Sequence, residues 1–444
     1  MTARGAARRQ PVVLYQPRDG CVGMPLGLLR LGSWLEGRHV VIVDGRFELA
    51  PEARVVELAR QALLLFVSAR TGEPLREALR VSRAARAASP ALPILWGGPH
   101  VGLDPESCFA TGVVDGCAPG AAEEALQAAV EAARSGRPLA SAAGLAVPGG
   151  AHVAPAAPPT RLWPRADYSL LDVERYFEER GVRRLDYCSS RGVREAPDWM
   201  GLRPERVVGE TLELAERYQA TELSFKDEDF FADAGRVFEL ASGLAEGGAP
   251  LAWRAEARPQ DLVEAGPDGL TRLRRGGCRG LQLVSTGAEP ECLLEVAGRL
   301  RAAGIGGRFV FDVGEAAAGG PGLAEAVKVA RAISAMDSRF ETPLRRHRDP
   351  PARPPAPGRS LEAWAELEKQ PWADGKAERR LARRAFFFAE AQRPPGRRLG
   401  KHLLRVLALL RVRVGFFALD FERVLVELSA LLRTGRARPL AGGD

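Results

Sequence analysis

The chain has no apolar run near the roughly 18 residues that a membrane-spanning helix needs. Its start does not combine a basic stretch, an apolar core and a small-residue cleavage site. A cytoplasmic protein without a transmembrane segment is expected. Thiols are scarce: Cys21, Cys108, Cys117, Cys188, Cys278 and Cys292 are the cysteines in 444 residues, and no C-x-x-C pair occurs. This scatter argues against a disulfide framework and against a zinc site, and leaves reduced, mostly buried thiols. The five histidines are equally dispersed, with no H-x-x-x-H or H-E-x-x-H arrangement, so no catalytic metal site is expected.

What is present is ordinary for a soluble globular protein, with 46% apolar and 27% charged residues. The length exceeds what one core of typical size covers and predicts two or three domains. The formal charge of +7 is uneven: residues 339–444 carry 23 Lys/Arg against 12 Asp/Glu, which leaves the first 338 residues at −4. A basic tail can bind nucleic acid or an anionic membrane. Here almost every cation is Arg in a chain rich in Ala, Gly and Pro, which reads as compositional bias, and no nucleic-acid partner is expected.

Short apolar strands alternate with amphipathic helices over residues 10–135, the pattern of a doubly wound parallel sheet. Strands are predicted at Val12–Tyr15, Val40–Asp44, Leu63–Ser68, Pro93–Gly98 and Val113–Gly116, with helices at Pro25–Glu36 and Pro74–Ala88. Ligands of such sheets sit beyond the carboxyl ends of the strands, where Asp44, Ser68, Thr71 and the Gly97-Gly98-Pro99-His100 turn converge. Residues 136–180 read as a linker, of which 136–166 is Pro/Ala/Gly-rich with one small hairpin. A second alternation over 181–340 predicts strands at Leu185–Ser190, Thr221–Phe225, Leu251–Arg258, Gly280–Ser285 and Arg308–Val313. Helices are predicted near 204–218, 232–246, 261–274, 290–303 and 321–334. Five or six such units make a partial (β/α) barrel of TIM type with its site on the loops after the strands. Residues 341–444 form a basic, helical C-terminal region, including Ala385–Ala389 and Leu403–Leu432, which packs as a cap or lies on a membrane surface.

The order of these parts resembles one family, the cobalamin-binding radical SAM enzymes of the class B methyltransferase-like and cyclase-like group. The likeness rests on Pro25-Leu26-Gly27-Leu28, Phe66-Val67-Ser68-Ala69-Arg70-Thr71-Gly72, Leu95-Trp96-Gly97-Gly98-Pro99-His100, the Ser190-Arg191-Gly192 approach and Phe225-Lys226-Asp227-Glu228-Asp229-Phe230-Phe231. It implies a corrinoid-binding Rossmann-like, flavodoxin-like domain followed by a radical SAM barrel. Ser68, Thr71, Gly97, Gly98 and His100 are then expected to face a corrinoid, although Gly-Gly also makes a plain strand-to-helix turn and His100 is not expected to ligate cobalt. Asp227 and Asp229 are expected to hold substrate or, alternatively, to cap a helix. Arg254, Glu256 and Arg258 should share one face of their strand, where Arg–Glu pairing suffices to explain them.

The departures fall on loop tips. The cluster cysteines of the family map to Val193, Pro197 and Met200, and its Gly-Glu-Gly-Glu segment to Ala118-Pro119-Gly120-Ala121. Ser285 stands where a Glu is expected, and Phe311-Asp312-Val313-Gly314-Glu315 replaces a Gly-Phe-Pro-Gly-Glu turn. Without three thiolates a 4Fe-4S cluster is predicted absent and SAM use is not expected. Three readings follow: a B12-binding pseudoenzyme or partner of an active radical SAM paralogue; a cobalamin-dependent methyltransferase working by polar chemistry with SAM; and a cofactor-free scaffold or binding module.

Overall fold

The computed structural model describes residues 10–19, 23–150, 158–197, 199–248, 251–284, 289–312, 323–345, 361 and 364. Cys21, Ser285, the Val313–Glu315 turn end and the two apolar tail segments at 385–389 and 403–432 lie outside the described residues. The chain divides into two compact units: Met1–Cys188 with Met200–Leu202 and Pro350–Glu368, and Ser189–Trp199 with Arg203–Asp349 and Lys369–Asp444. No described helix is long and apolar enough to cross a membrane.

The first unit is a parallel five-stranded sheet in the order β2-β1-β3-β4-β5. In chain order it comprises β1 (Val12–Gln16), α1 (Leu26–Trp34), β2 (Val40–Asp44), α2 (Pro51–Ala59), β3 (Leu64–Ser68), α3 (Glu73–Ala88), β4 (Ile94–Gly97), α4 (Pro99–Leu103), α5 (Pro105–Phe109), β5 (Gly116–Ala118) and α6 (Glu123–Arg134). It is the flavodoxin-like order, with the switch point between β1 and β3. Alternate strand residues supply separate cores. Val12, Leu14, Leu64, Phe66 and Leu95 pack with α1 and α6, while Val13, Tyr15, Leu65, Val67, Ile94 and Trp96 pack with α2 and α3. Burial on both faces is why these strands read as continuous apolar runs.

Three differences from the sequence reading are local. The fifth strand begins at Gly116 rather than Val113, because the Asp115 carboxylate accepts the Ile94 N–H at 2.7 Å and binds Arg86. The described residues of 136–166, which leave out 151–157, form no hairpin; the linker on to 180 is partly helical. That stretch holds short 3-10 turns and α7 (Val173–Arg180), started by Asp172, which accepts the Arg175 N–H, and stopped by Gly181 at φ 68°. The strand expected to run to Ser190 ends at Tyr187 as β6 (Arg184–Tyr187), and two-residue strands follow, β7 (Ser190–Arg191) and β8 (Met200–Gly201).

The second unit carries parallel strands β9 (Glu222–Phe225), β10 (Ala252–Ala257), β11 (Cys278–Val284), β12 (Gly306–Asp312) and β13 (Phe340–Glu341) side by side in that order; β14 (Leu344–Arg345) also pairs with β12. Helices α8 (Pro204–Tyr218), α9 (Ala234–Glu246), α10 (Pro259–Arg275), α11 (Pro290–Ala303) and α12 (Leu323–Met336) connect them, the TIM-type alternation. α10 is broken at Gly266, φ 64°, just before Pro267. On β10, Trp253, Ala255 and Ala257 are buried while Arg254 is exposed and Glu256 partly so. The expected pairing among Arg254, Glu256 and Arg258 is not what forms. Arg254 meets Glu222, Glu256 accepts from Gln282 at 2.7 Å, and Arg258 turns to Glu195 and Asp229.

Candidate functional sites at the strand ends

In the first unit the segments at the carboxyl ends of β1, β2 and β3 form a rim of ion pairs. Asp44, closing β2, accepts from Arg46 at 2.6 and 2.8 Å and from the Tyr176 hydroxyl at 2.5 Å; Arg46 and Arg70 both reach Asp19. Burial and the neighbouring Asp44 push the Tyr176 phenol above its usual range, so it stays a donor.

Four of the five residues expected to face a corrinoid have definite structural tasks. Ser68 is half-buried at the end of β3. A Cβ on Gly97 would fall 2.3 Å from Phe66 Cζ, so glycine there makes room for the ring of the neighbouring strand. Gly98 sits at φ 99° with its Cβ position 2.9 Å from the Ala69 carbonyl oxygen, a conformation suited to glycine. His100 is fully buried; its Nδ1 lies 3.2 Å from Thr71 Oγ1 and its Nε2 3.2 Å from Ser107 Oγ. Because the Ser107 hydroxyl donates to the Asp104 carbonyl at 2.9 Å, it accepts from Nε2–H, which leaves Nδ1 to accept from Thr71. The residues do come together, yet as a closed turn.

In the second unit the acidic segment after β9 takes hold of the loop that follows Cys188. Asp227 Oδ1 accepts the Ser189 N–H at 3.0 Å, the Ser189 hydroxyl at 2.7 Å and the Ser190 hydroxyl at 2.5 Å. Glu228 accepts the Gly192 N–H at 3.2 Å. Asp229 receives Arg194 as a two-pronged fork, Nε to Oδ2 at 2.8 Å and Nη2 to Oδ1 at 2.6 Å, plus its backbone N–H. Arg194 continues to Asp261 at 2.6 Å, and Arg258 bridges Asp229 at 3.0 Å and Glu195. Neither predicted acid caps a helix: the capping acid is Asp233, which accepts the Arg236 N–H at 3.0 Å.

Burial pushes the Asp227 carboxyl up, with Ser190 and Ser189 opposing, and its Oδ2 is buried with no partner among the described residues. Burial would likewise raise Asp229, but Arg194 and Arg258 hold it below the usual carboxylate range. Arg258 holds the exposed Glu195 at about 2. The sequence reading missed Arg194, Glu195 and Asp261, since in so Arg-rich a chain one more Arg or acid carries no signal. It also missed Trp364, a fully buried ring from the C-terminal region that packs in the first unit against His100.

At the cluster spacing, Val193, Pro197 and Met200 supply no thiolate. Cys278 opens β11 fully buried, its thiol pushed up to about 12 by that burial, and Cys292 lies on α11. Among the described residues no group of three or more His, Cys, Asp or Glu could hold a metal ion.

No protein-family model matches the chain. Over 301 residues it is 25% identical to an uncharacterized methyltransferase of Pyrococcus horikoshii, an alignment covering 63% of this chain and 64% of the relative, short of two thirds of that protein. Among solved structures the fold is similar to the radical S-adenosylmethionine methyltransferase TsrM of Kitasatospora setae, described with tryptophan and a SAM analogue bound, with TM-score 0.60, 19% identity and coverage of 76% of this chain and 73% of TsrM. It is also similar to the cobalamin-dependent S-adenosylmethionine radical enzyme OxsB with aqua-cobalamin bound, with TM-score 0.58, 15% identity and coverage of 82% of this chain and 56% of OxsB. The chain thus shares an α/β fold with TsrM and OxsB and is similar in sequence to an uncharacterized methyltransferase.

Proposed function

We propose that this chain is a B12-binding radical SAM-like protein that builds no 4Fe-4S cluster and works as a pseudoenzyme, the partner of an active radical SAM paralogue. The observation that carries the reading is the loop from Ser189 to Glu195. Three successive carboxylates, Asp227, Glu228 and Asp229, and the arginines Arg194 and Arg258 hold this loop, at the place where the resemblance puts a cluster. A cluster would supply an electron and an open iron site for SAM. Val193, Pro197 and Met200 offer thioether and hydrocarbon where thiolates are needed, so the residues present do not fit it.

A corrinoid fits the first unit on narrower terms than the resemblance implies. Both nitrogens of His100 are engaged and its ring is enclosed, so it is no cobalt ligand. Ser68 and the backbone of the Gly97-Gly98 turn are the groups proposed to meet the corrinoid, whose chemistry when bound is to carry a methyl group.

The match to a methyltransferase favours a second reading, polar methyl transfer through cobalamin without a cluster. One experiment separates them. The protein is purified anaerobically with iron, sulfide and hydroxocobalamin supplied, and its metal content and visible spectrum are measured. Cobalt without iron is expected, and stoichiometric iron with a cluster absorption band overturns the proposal. Methyl transfer from SAM by the iron-free protein selects the second reading.

A further inference from the structure

The alternation of the second unit puts its helix-to-strand turns on one rim, at the amino ends of the strands and away from the acids after β9. The turns are short: Gly276-Gly277 joins α10 to β11, Gly304-Ile305 joins α11 to β12, and Asp337-Ser338-Arg339 joins α12 to β13. With the last helical turns before them they carry Arg272, Arg274, Arg275, Arg279, Arg301 and Arg339, against one acid, Asp337. The cations converge. Arg274 Nε and Arg339 Nη1 lie 3.5 and 3.6 Å from the point where a Cβ of Gly304 would stand, and the Arg279 and Arg339 carbonyls lie 3.1 and 3.4 Å from the same point at Gly306.

Exposed arginines elsewhere meet acids, as Arg54 meets Glu57, Arg76 meets Glu73 and Arg183 meets Glu174. On this rim the positive charge is left over. Arg274 donates to the Gly304 carbonyl at 3.0 Å and Arg279 to the Arg274 carbonyl at 3.2 Å, groups without net charge. Among the described residues the exposed Arg275 and Arg301 side chains have no hydrogen bond or ion pair. Arg339 shows what such a group takes: its Nε and Nη2 fork onto the two oxygens of Asp337 at 2.9 and 2.5 Å. A single cation in a last turn would serve the helix dipole, and α10 has three there with Arg279 beyond them.

We propose that this rim docks an acidic segment of a partner protein, whose carboxylates its arginines receive as Arg339 receives Asp337. Carboxylates fit better than the alternatives. Among the described residues the large exposed apolar side chains are Leu49 and Leu162, both in the first unit, so the rim offers a bilayer nothing to bury. The aromatic ring in these turns, Phe340, is buried and cannot stack on a base, and short turns project no helix or ribbon into a groove. The proposal is independent of whether the chain binds a corrinoid or builds a cluster.

The full chain, R275E/R301E and a control, R60E/R83E, are titrated by fluorescence anisotropy with labelled poly-L-glutamate and with a labelled DNA duplex, and sedimented with phosphatidylserine vesicles. Arg60 and Arg83 are exposed in the first unit, so the control makes the same change in net charge. Poly-L-glutamate is expected to bind the wild type, more weakly as salt rises, and to bind R275E/R301E about tenfold or more weakly while the control binds as the wild type does. Equal loss in both variants would trace binding to net charge and overturn the proposal. Full binding by R275E/R301E, which would move the site to the basic C-terminal region, overturns it too. So does tighter binding of the duplex or the vesicles than of poly-L-glutamate, or no binding. If R275E/R301E melts in urea below the wild type, R275Q/R301Q takes its place with the same expectation of weaker binding.

Discussion

A buried carboxyl group is costly unless its oxygens are occupied, and Asp227 meets that condition on one oxygen only. Replacing Asp227 with Ala strands the Ser189 N–H and two hydroxyl groups, and a loss of about 1–3 kcal/mol in urea unfolding is expected. Asp227→Asn keeps an acceptor and should cost less. The pH dependence has a definite sign. A carboxyl whose folded pKa is raised contributes most at pH below the unfolded value near ~4, and that contribution is lost as pH rises through the folded pKa. Asp227→Asn, neutral throughout, should therefore gain on the wild type as pH climbs from about 4, measured by paired urea melts. Asp229 is opposite in sign: held low by its arginines, it stabilises above ~4 and its contribution fades as pH falls. Gly98 gives a simpler test. At φ 99° beside the Ala69 carbonyl, Gly98→Ala should cost about 1–3 kcal/mol in the same assay.

Among elements, the loop after Cys188 is tied to the segment that follows β9 at successive points, Ser189 and Ser190 to Asp227, Gly192 to Glu228 and Arg194 to Asp229. Asp229 is almost wholly buried, while the arginines around it are partly open to water, so salt screens the lattice only in part. Arg194→Ala leaves Asp229 and Asp261 each short of a partner. Hydrogen exchange of the Gly192 and Arg194 amides should quicken by about tenfold or more in that variant, with the core of β11 unchanged. Equal protection in variant and wild type would show that the loop needs no such tether. The acids after β9 were legible in the sequence as a cluster at a strand end. Their partners were not, because Arg194 and Arg258 lie 35 and 29 residues from Asp229 and no local pattern marks the pairing.

At the scale of the whole chain, a unit that begins near residue 10 is completed by side chains from beyond residue 360. Leu361 and Trp364 belong to the core that includes Val13, Val67 and Trp96. Trp364→Ala should lower the stability of the first unit by about 3–5 kcal/mol. In scanning calorimetry that loss is expected as a downward shift of one transition while the other stays in place; movement of both would place the ring outside the first unit's core. Composition marks the basic C-terminal region as a separate helical part and carries no information on where an isolated Trp docks.

The sequence alone determined the α/β class, the parallel strands and most helix positions, because two-sided burial writes continuous apolar runs and helix faces write a 3.6-residue period. It also determined the absence of thiolates at Val193, Pro197 and Met200, which is a matter of residue identity. Tertiary structure decided the rest. It closed the turn around His100, gave each acid after β9 its own segment of one loop and brought Trp364 onto Asp104. Hydrogen bonds and ion pairs depend on distances of a few ångströms between residues far apart in the chain, and only the folded backbone sets those distances.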